Sequence, residues 1–280
     1  MLGTTCLSCA SVDHELSAFA GSVFKGGKVF EESEITDIST HNNWSRHHRV
    51  ILEVQMLASA DDSTRYQRAI DIASNYIASG EVGWAMDYLK MQRGFLYKLN
   101  GNQESGIIDL EELVDRHAFN DIQEIDDPIL EAMKTRQKNL AIYFNDVMRQ
   151  SIGHYYLDFR KEGILPEKAY QYFIGINAAT LREKCLDQLR ERLGGNNEAI
   201  IKGYEKNYNS AQQHETVTNP RDGLPRQEPP REWKREARKN VPTSSDIARP
   251  NNGVTGFLWL IVFLAIVVGI GAYFVLKSKQ

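Results

Sequence analysis

The carboxyl end constrains this chain most: residues 256–276 read GFLWLIVFLAIVVGIGAYFVL, twenty-one residues without a charge. As an α-helix rising about 1.5 Å per residue, such a run is roughly 31 Å long, which matches the roughly 30 Å hydrocarbon core of a bilayer. A core helix of a globular body seldom lacks polar residues for so long, so the expectation is a single transmembrane helix over 254–276. Phe257 and Trp259 stand near one end, Tyr273 and Phe274 near the other, and only the basic tail 277–280 follows. Trp259, Tyr273, Lys277 and Lys279 are therefore the expected interfacial anchors. Ala265, Gly269 and Ala272 are small enough to let two such helices approach closely, so a homo-oligomer through the span is one reading and simple accommodation in lipid the other.

Charge orients the span. The amino terminus MLGTTCLSCA has neither a basic leader nor a long apolar run and reads as a poor secretory signal. Lys234, Arg235, Arg238, Lys239 and Arg249 precede the span, against Lys277 and Lys279 after it. Basic residues favour the cytoplasmic side, so the reading is a tail-anchored, single-pass protein with its amino-terminal domain in the cytosol.

Between that domain and the span lies a polar linker, residues 211–253. Six of the eight prolines fall between residues 220 and 250, and the stretch lacks apolar periodicity. Such a segment buries too little apolar surface to offset its chain entropy, and proline keeps it extended. Residues 221–249 carry a net charge of +3 and the tail +2; set against −4 for the whole chain, the rest stands at −9. Lys234, Arg235, Arg238 and Lys239 are candidates for contact with an anionic lipid surface, beside the plainer reading of a solvated linker. The acidic folded part, and the glutamates 228, 232 and 236 that interrupt the basic run, argue against a nucleic-acid partner.

With 42% hydrophobic and 25% charged residues, the chain has the composition of a globular protein. Apolar residues recur at helical spacing over residues 43–210, so the fold class expected is all-α, a multi-helix cytosolic bundle followed by the proline-rich linker and one carboxyl-terminal transmembrane helix. The first helix covers Trp44, Val50, Ile51, Val54 and Leu57; the second starts near Ser63 and carries Tyr66, Ala69, Ile70, Ala73 and Ile77. The third, Val82 to Leu99, places Trp84, Tyr88, Met91, Phe95 and Leu99 along one core stripe. A short fourth helix follows Gly106, and Pro128 opens a long fifth one through Ile129, Met133, Leu140, Phe144, Met148 and Ile152, with a kink at Gly153. Pro166 opens the next, running to Gly194, and a last amphipathic helix spans Ala199 to Tyr208. Residues 1–42 read as a partly ordered arm in which SAFAGSVFKGGKVFEE suggests a short hairpin about Gly26 and Gly27.

Candidate chemistry is sparse. Cys6 and Cys9 form a C-x-x-C with His14 nearby; a zinc site would need further ligands, for which His41, His47 and His48 are in reach along the chain, and two reduced thiols is the plainer reading. NGNQESGIIDLEE, residues 100–112, resembles a degenerate calcium loop whose ligands would be Asn100, Asn102, Glu104 and Glu112, although it reads first as a turn between helices. Glu111, Glu112, Asp115, Asp121, Glu124, Asp126 and Asp127, with His117 among them, make either a carboxylate and histidine metal site or a solvated acidic turn. No phosphate loop, dinucleotide fingerprint, nucleophile elbow or zinc-protease helix stands in the sequence, so no catalytic residue and no cofactor is assigned. The function expected is recruitment or organisation of a protein partner at the cytosolic membrane face by the acidic helical domain. The alternative is a signal-responsive effector that oligomerises through its span and perturbs the bilayer.

Overall fold

The computed structural model describes residues 7–160, 163–194 and 197–217. They are all-helical, with eleven α-helices and no strand among them. The expected transmembrane helix, the basic tail and the linker beyond residue 217 lie outside the described residues, while residues 211–217, expected as linker, continue the last helix; among the described residues no helix is long and apolar enough to cross a membrane. By its contacts the chain divides into two units, residues 1–206 and 207–280.

The amino-terminal region holds two helices where a partly ordered arm, with a short hairpin in it, was expected. Helix α1 (Leu7–Phe24) buries Leu16, Ala20 and Val23, spaced four and three apart on one face. That is a helical period, which the short alternations within SAFAGSVF disguise. Gly26 and Gly27, at φ of 70° and 79°, make the expected turn, but the chain then enters helix α2 (Glu32–Thr40). Glu31 opens α2 with a reciprocal cap: its side chain takes the amide of Glu34, whose carboxylate takes the Glu31 amide.

Helix α3 (Arg46–Ala58) is the centre of the body. Ile51, Leu52, Val54, Met56 and Leu57 are all fully buried, which no single-faced helix permits, and α1, α2, α4 (Ser63–Ala78) and α5 (Trp84–Leu99) all pack on it. The starts of these helices are written locally: Ser45 accepts from the His48 amide, and Asp62 accepts from the amides of Thr64 and Arg65. On α5 the buried stripe is rotated from the expected one. Tyr88 and Met91 are buried, but Asp87, Leu89, Gly94 and Leu96 join them, while Leu99 is 47% exposed, because α4 and α6 press on different sides.

Helix α6 (Gln103–Asp115) starts three residues ahead of Gly106, capped by Asn102. The long fifth helix of the sequence reading is two helices, α7 (Pro128–Lys134) and α8 (Leu140–His154). The break is recapped on both sides: Asn139 accepts from the Ile142 amide, and the Gln123 side chain accepts from the Leu140 amide and donates to the Lys138 carbonyl. Gly153 lies inside α8, one residue before its end. It makes room, since a Cβ there would stand 2.2 Å from the Phe173 ring, and the chain passes beyond it into a single π turn, Tyr155–Phe159.

The helix expected from Pro166 to Gly194 is likewise two, α9 (Pro166–Ile174) and α10 (Ala179–Leu193). Asp146 of α8 causes the division, because its carboxylate accepts from the amides of Asn177 and Ala178 and from the Asn177 side chain, at 2.7, 2.9 and 3.0 Å. A carboxylate on one helix thus caps the start of another. Helix α11 (Asn197–Val217) runs nine residues past the expected end at Tyr208.

Candidate functional site

The one convergence of metal-ligand types among the described residues is His47, His48 and Asp127, each of which offers a ligand atom within 4.8 Å of the other two. Helix capping builds it. Ser45 starts α3 and puts both histidines in the first turn, and Asp127 is the N-cap of α7, with Pro128 at the first helical position. Asp127 spends Oδ1 on the Ile129 amide at 2.9 Å and turns Oδ2 towards the rings. His48 Nε2 lies 2.9 Å and His47 Nε2 3.5 Å from that same oxygen. The ring centroids are 4.0 Å apart, inclined at 59°.

The site is sheltered on one side and open on the other. The Asp127 and His48 side chains are 9% and 12% exposed, and His47, at 30%, forms the solvent edge against Trp84. Burial works to raise the Asp127 carboxyl, but the hydrogen bonds from His47 and His48, the charge of His48 and the Ile129 amide outweigh it and hold the group well below the usual carboxylate range. Asp127 is therefore an anion at any physiological pH. Ser45 Oγ sits 3.0 Å from His47 Nδ1, and Glu81, itself paired with Arg46, acts on His47 electrostatically.

A second polar cluster joins α6, the π turn and α9. Glu111 Oε1 accepts from the hydroxyls of Tyr156 and Tyr172 at 2.7 and 2.9 Å and pairs with Lys168 at 3.0 Å. Burial and the Glu111 charge push both phenols up, so they remain donors, and their rings stack at 8°. Nearby, Lys98 donates to Ser151 Oγ at 3.1 Å, and Arg93 grips Asp109 through two hydrogen bonds of 2.7 and 2.8 Å. Burial pushes the Cys185 thiol up to about 12, which makes it inert as a nucleophile.

The structure separates the residues of the calcium-loop reading. Asn102 caps α6, Asn100 donates to Gln67, Glu104 stands in the first turn, and Glu112, two turns on and roughly 12 Å along the axis, pairs with Lys90. Residues 103–112 form a continuous helix where a calcium loop would wrap round its ion. The acidic stretch 111–127 is also divided, since Glu111 turns to the tyrosines, Glu112 to Lys90 and Asp127 to the histidines. Ala265, Gly269, Ala272, Trp259, Tyr273, Lys277, Lys279, Lys234, Arg235, Arg238 and Lys239 lie outside the described residues, as do the side chains of Cys6 and Cys9.

Sequence reasoning named each member of the His47, His48 and Asp127 group but assigned them to different partners. Seventy-nine residues separate His48 from Asp127, and only the packing of the body closes that distance. The signal that was available is the pair of caps, Ser45 and Asp127 with Pro128, since residues beside a cap are held in a fixed first turn.

No protein-family model, curated protein or solved structure matches the chain.

Proposed function

We propose that this is a tail-anchored membrane protein whose acidic helical domain recruits a protein partner at the cytosolic face. The observation that carries the reading is the uncharged run 256–276, preceded by a basic, proline-rich linker. The helical unit supports it in one respect: among the described residues a buried apolar core runs from Leu16 to Leu189, enough for a folded domain ahead of the linker. Trp259, Tyr273, Lys277 and Lys279 anchor the span at its two interfaces, and Lys234, Arg235, Arg238 and Lys239 lie against the anionic leaflet.

Fractionation tests the anchor, and crosslinking in native membranes followed by mass spectrometry tests the recruitment. Deletion of residues 254–280 releases the chain into the soluble fraction while a specific crosslinked partner is retained. A truncated chain that stays with the membrane, or an intact chain that captures no partner, overturns the reading. Ala265, Gly269 and Ala272 favour a second reading, in which the span self-associates and perturbs the bilayer. Replacement of Ala265 and Gly269 by Leu then abolishes both crosslinked oligomers and activity, whereas an anchored recruiter is indifferent to the change.

A further inference from the structure

We propose that His47, His48 and Asp127 form a binding site for a divalent first-row transition cation of the zinc class, which ties the start of α3 to the start of α7. Two imidazoles and one carboxylate are the donor set of such ions; calcium and magnesium take oxygen ligands in greater number. The three groups already point at one another, with both Nε2 atoms directed at Asp127 Oδ2 at 2.9 and 3.5 Å. Ligands 2.0–2.1 Å from a tetrahedral ion stand about 3.3 Å apart. Small rotations of the two rings therefore suffice to admit an ion among atoms that lie within 4.8 Å of one another.

The surroundings supply what ligation requires. A histidine that gives Nε2 to a metal carries its proton on Nδ1, and Ser45 Oγ neighbours the His47 ring at 3.0 Å from Nδ1 and 3.5 Å from Nε2. The carboxylate cannot turn away, because the Ile129 amide holds its other oxygen. His48 and Asp127 are shielded from solvent while His47 borders it, so an ion has an entry path and keeps a position for water. One term opposes binding: α3 and α7 both present their N-terminal, partially positive ends here. Asp127, the one carboxylate of the three ligands, is the group that offsets this, which makes it the residue on which affinity depends most.

The test is Zn2+ titration calorimetry on the full-length chain in detergent micelles with Cys6→Ser and Cys9→Ser in place, so that the amino-terminal thiols do not compete. The expected result is one Zn2+ per chain, with affinity reduced at least tenfold by Asp127→Asn and by His48→Gln. Asparagine remains a good N-cap, so Asp127→Asn removes the charged ligand while keeping α7 capped, and circular dichroism checks that the helices persist. Co2+ gives an independent readout in the chain with its site residues intact: the visible band of an N- and O-ligated ion, without thiolate charge transfer. Absence of Zn2+ binding in the Cys6→Ser, Cys9→Ser chain overturns the proposal. So does binding that Asp127→Asn and His48→Gln leave unchanged, or a Co2+ spectrum lacking that band.

Discussion

Gly94 and Gly106 bring the backbones of α5 and α6 into contact: a Cβ on Gly106 would stand 2.4 Å from the Gly94 carbonyl oxygen, and one on Gly94 would stand 3.0 Å from that of Gly106. Neither obstacle is the end of a flexible side chain, so an added methyl must push two helices apart. Gly106→Ala is expected to destabilise the domain by about 1–3 kcal/mol despite its gain in helix propensity. Gly203→Ala on α11, where nothing lies within 4 Å of the new methyl, is the control and should stabilise by up to about 1 kcal/mol. Urea unfolding of the full-length chain in micelles reads both, and equal effects at the two sites would refute the close crossing.

Asp146 holds α10 from outside that helix. Its substitution by Ala removes an acceptor from the Asn177 and Ala178 amides and from the Asn177 side chain at a buried position, with an expected cost of about 2–3 kcal/mol. Asn in its place retains one acceptor oxygen and should cost less than Ala. Hydrogen exchange locates the loss, since the amides of residues 177 and 178 should exchange faster than those of α3 in the Asp146→Ala chain. A loss of under about 0.5 kcal/mol would mean that buried Cys185, Leu186 and Leu189 hold α10 without the cap.

The Glu111 cluster predicts non-additivity. Tyr156 and Tyr172 donate to one oxygen, Glu111 Oε1, so removal of either hydroxyl leaves the other bonded, whereas removal of the carboxylate strands Tyr172 and leaves Tyr156 only the ammonium of Lys168. Tyr172→Phe, which keeps the stack on Tyr156, should cost about 1 kcal/mol. In the Glu111→Ala background the same change should cost nearly nothing, a coupling of about 0.5–1 kcal/mol in a double-mutant cycle. Strictly additive costs would show that the hydroxyls find other partners.

These cases also mark where local sequence ceases to dictate structure. The helix starts near Ser63 and at Pro128 were legible because a cap or an N1 proline acts within one turn. The α9–α10 division was not, since residues 166–193 keep an apolar period and the carboxylate that interrupts them comes from α8, thirty-one residues away. The α1 helix was obscured for the opposite reason: Ser17, Gly21 and Ser22 weaken its local preference, and burial of Leu16, Ala20 and Val23 against α3 and α7 decides it. The histidine and aspartate group fails in the same way as α10, because a site assembled from two helix starts has no spacing of its own.

Lys98 carries a prediction whose sign depends on pH. The residue keeps some exposed surface, but its ammonium is enclosed, and burial pushes its pKa down to about 8, against a weaker upward pull from Asp158. The unfolded chain holds this proton up to its ordinary value of 10.5. Below about 8 both states are protonated, and the fold bears the whole cost of enclosing the charge. Between about 8 and 10.5 the unfolded state binds more protons than the folded one, so stability rises with pH, and above that window neither state is charged and the penalty is gone. Lys98→Met should therefore stabilise the domain at pH 7 by about 1–3 kcal/mol, the lower figure applying where loss of the bond to Ser151 offsets part of the gain. At a pH well above the folded value the advantage should shrink towards zero. Urea midpoints of the two chains at neutral and alkaline pH decide it: a constant difference would show that Lys98 acts by packing alone, and a difference that grows with pH would show an ammonium stabilised by the fold.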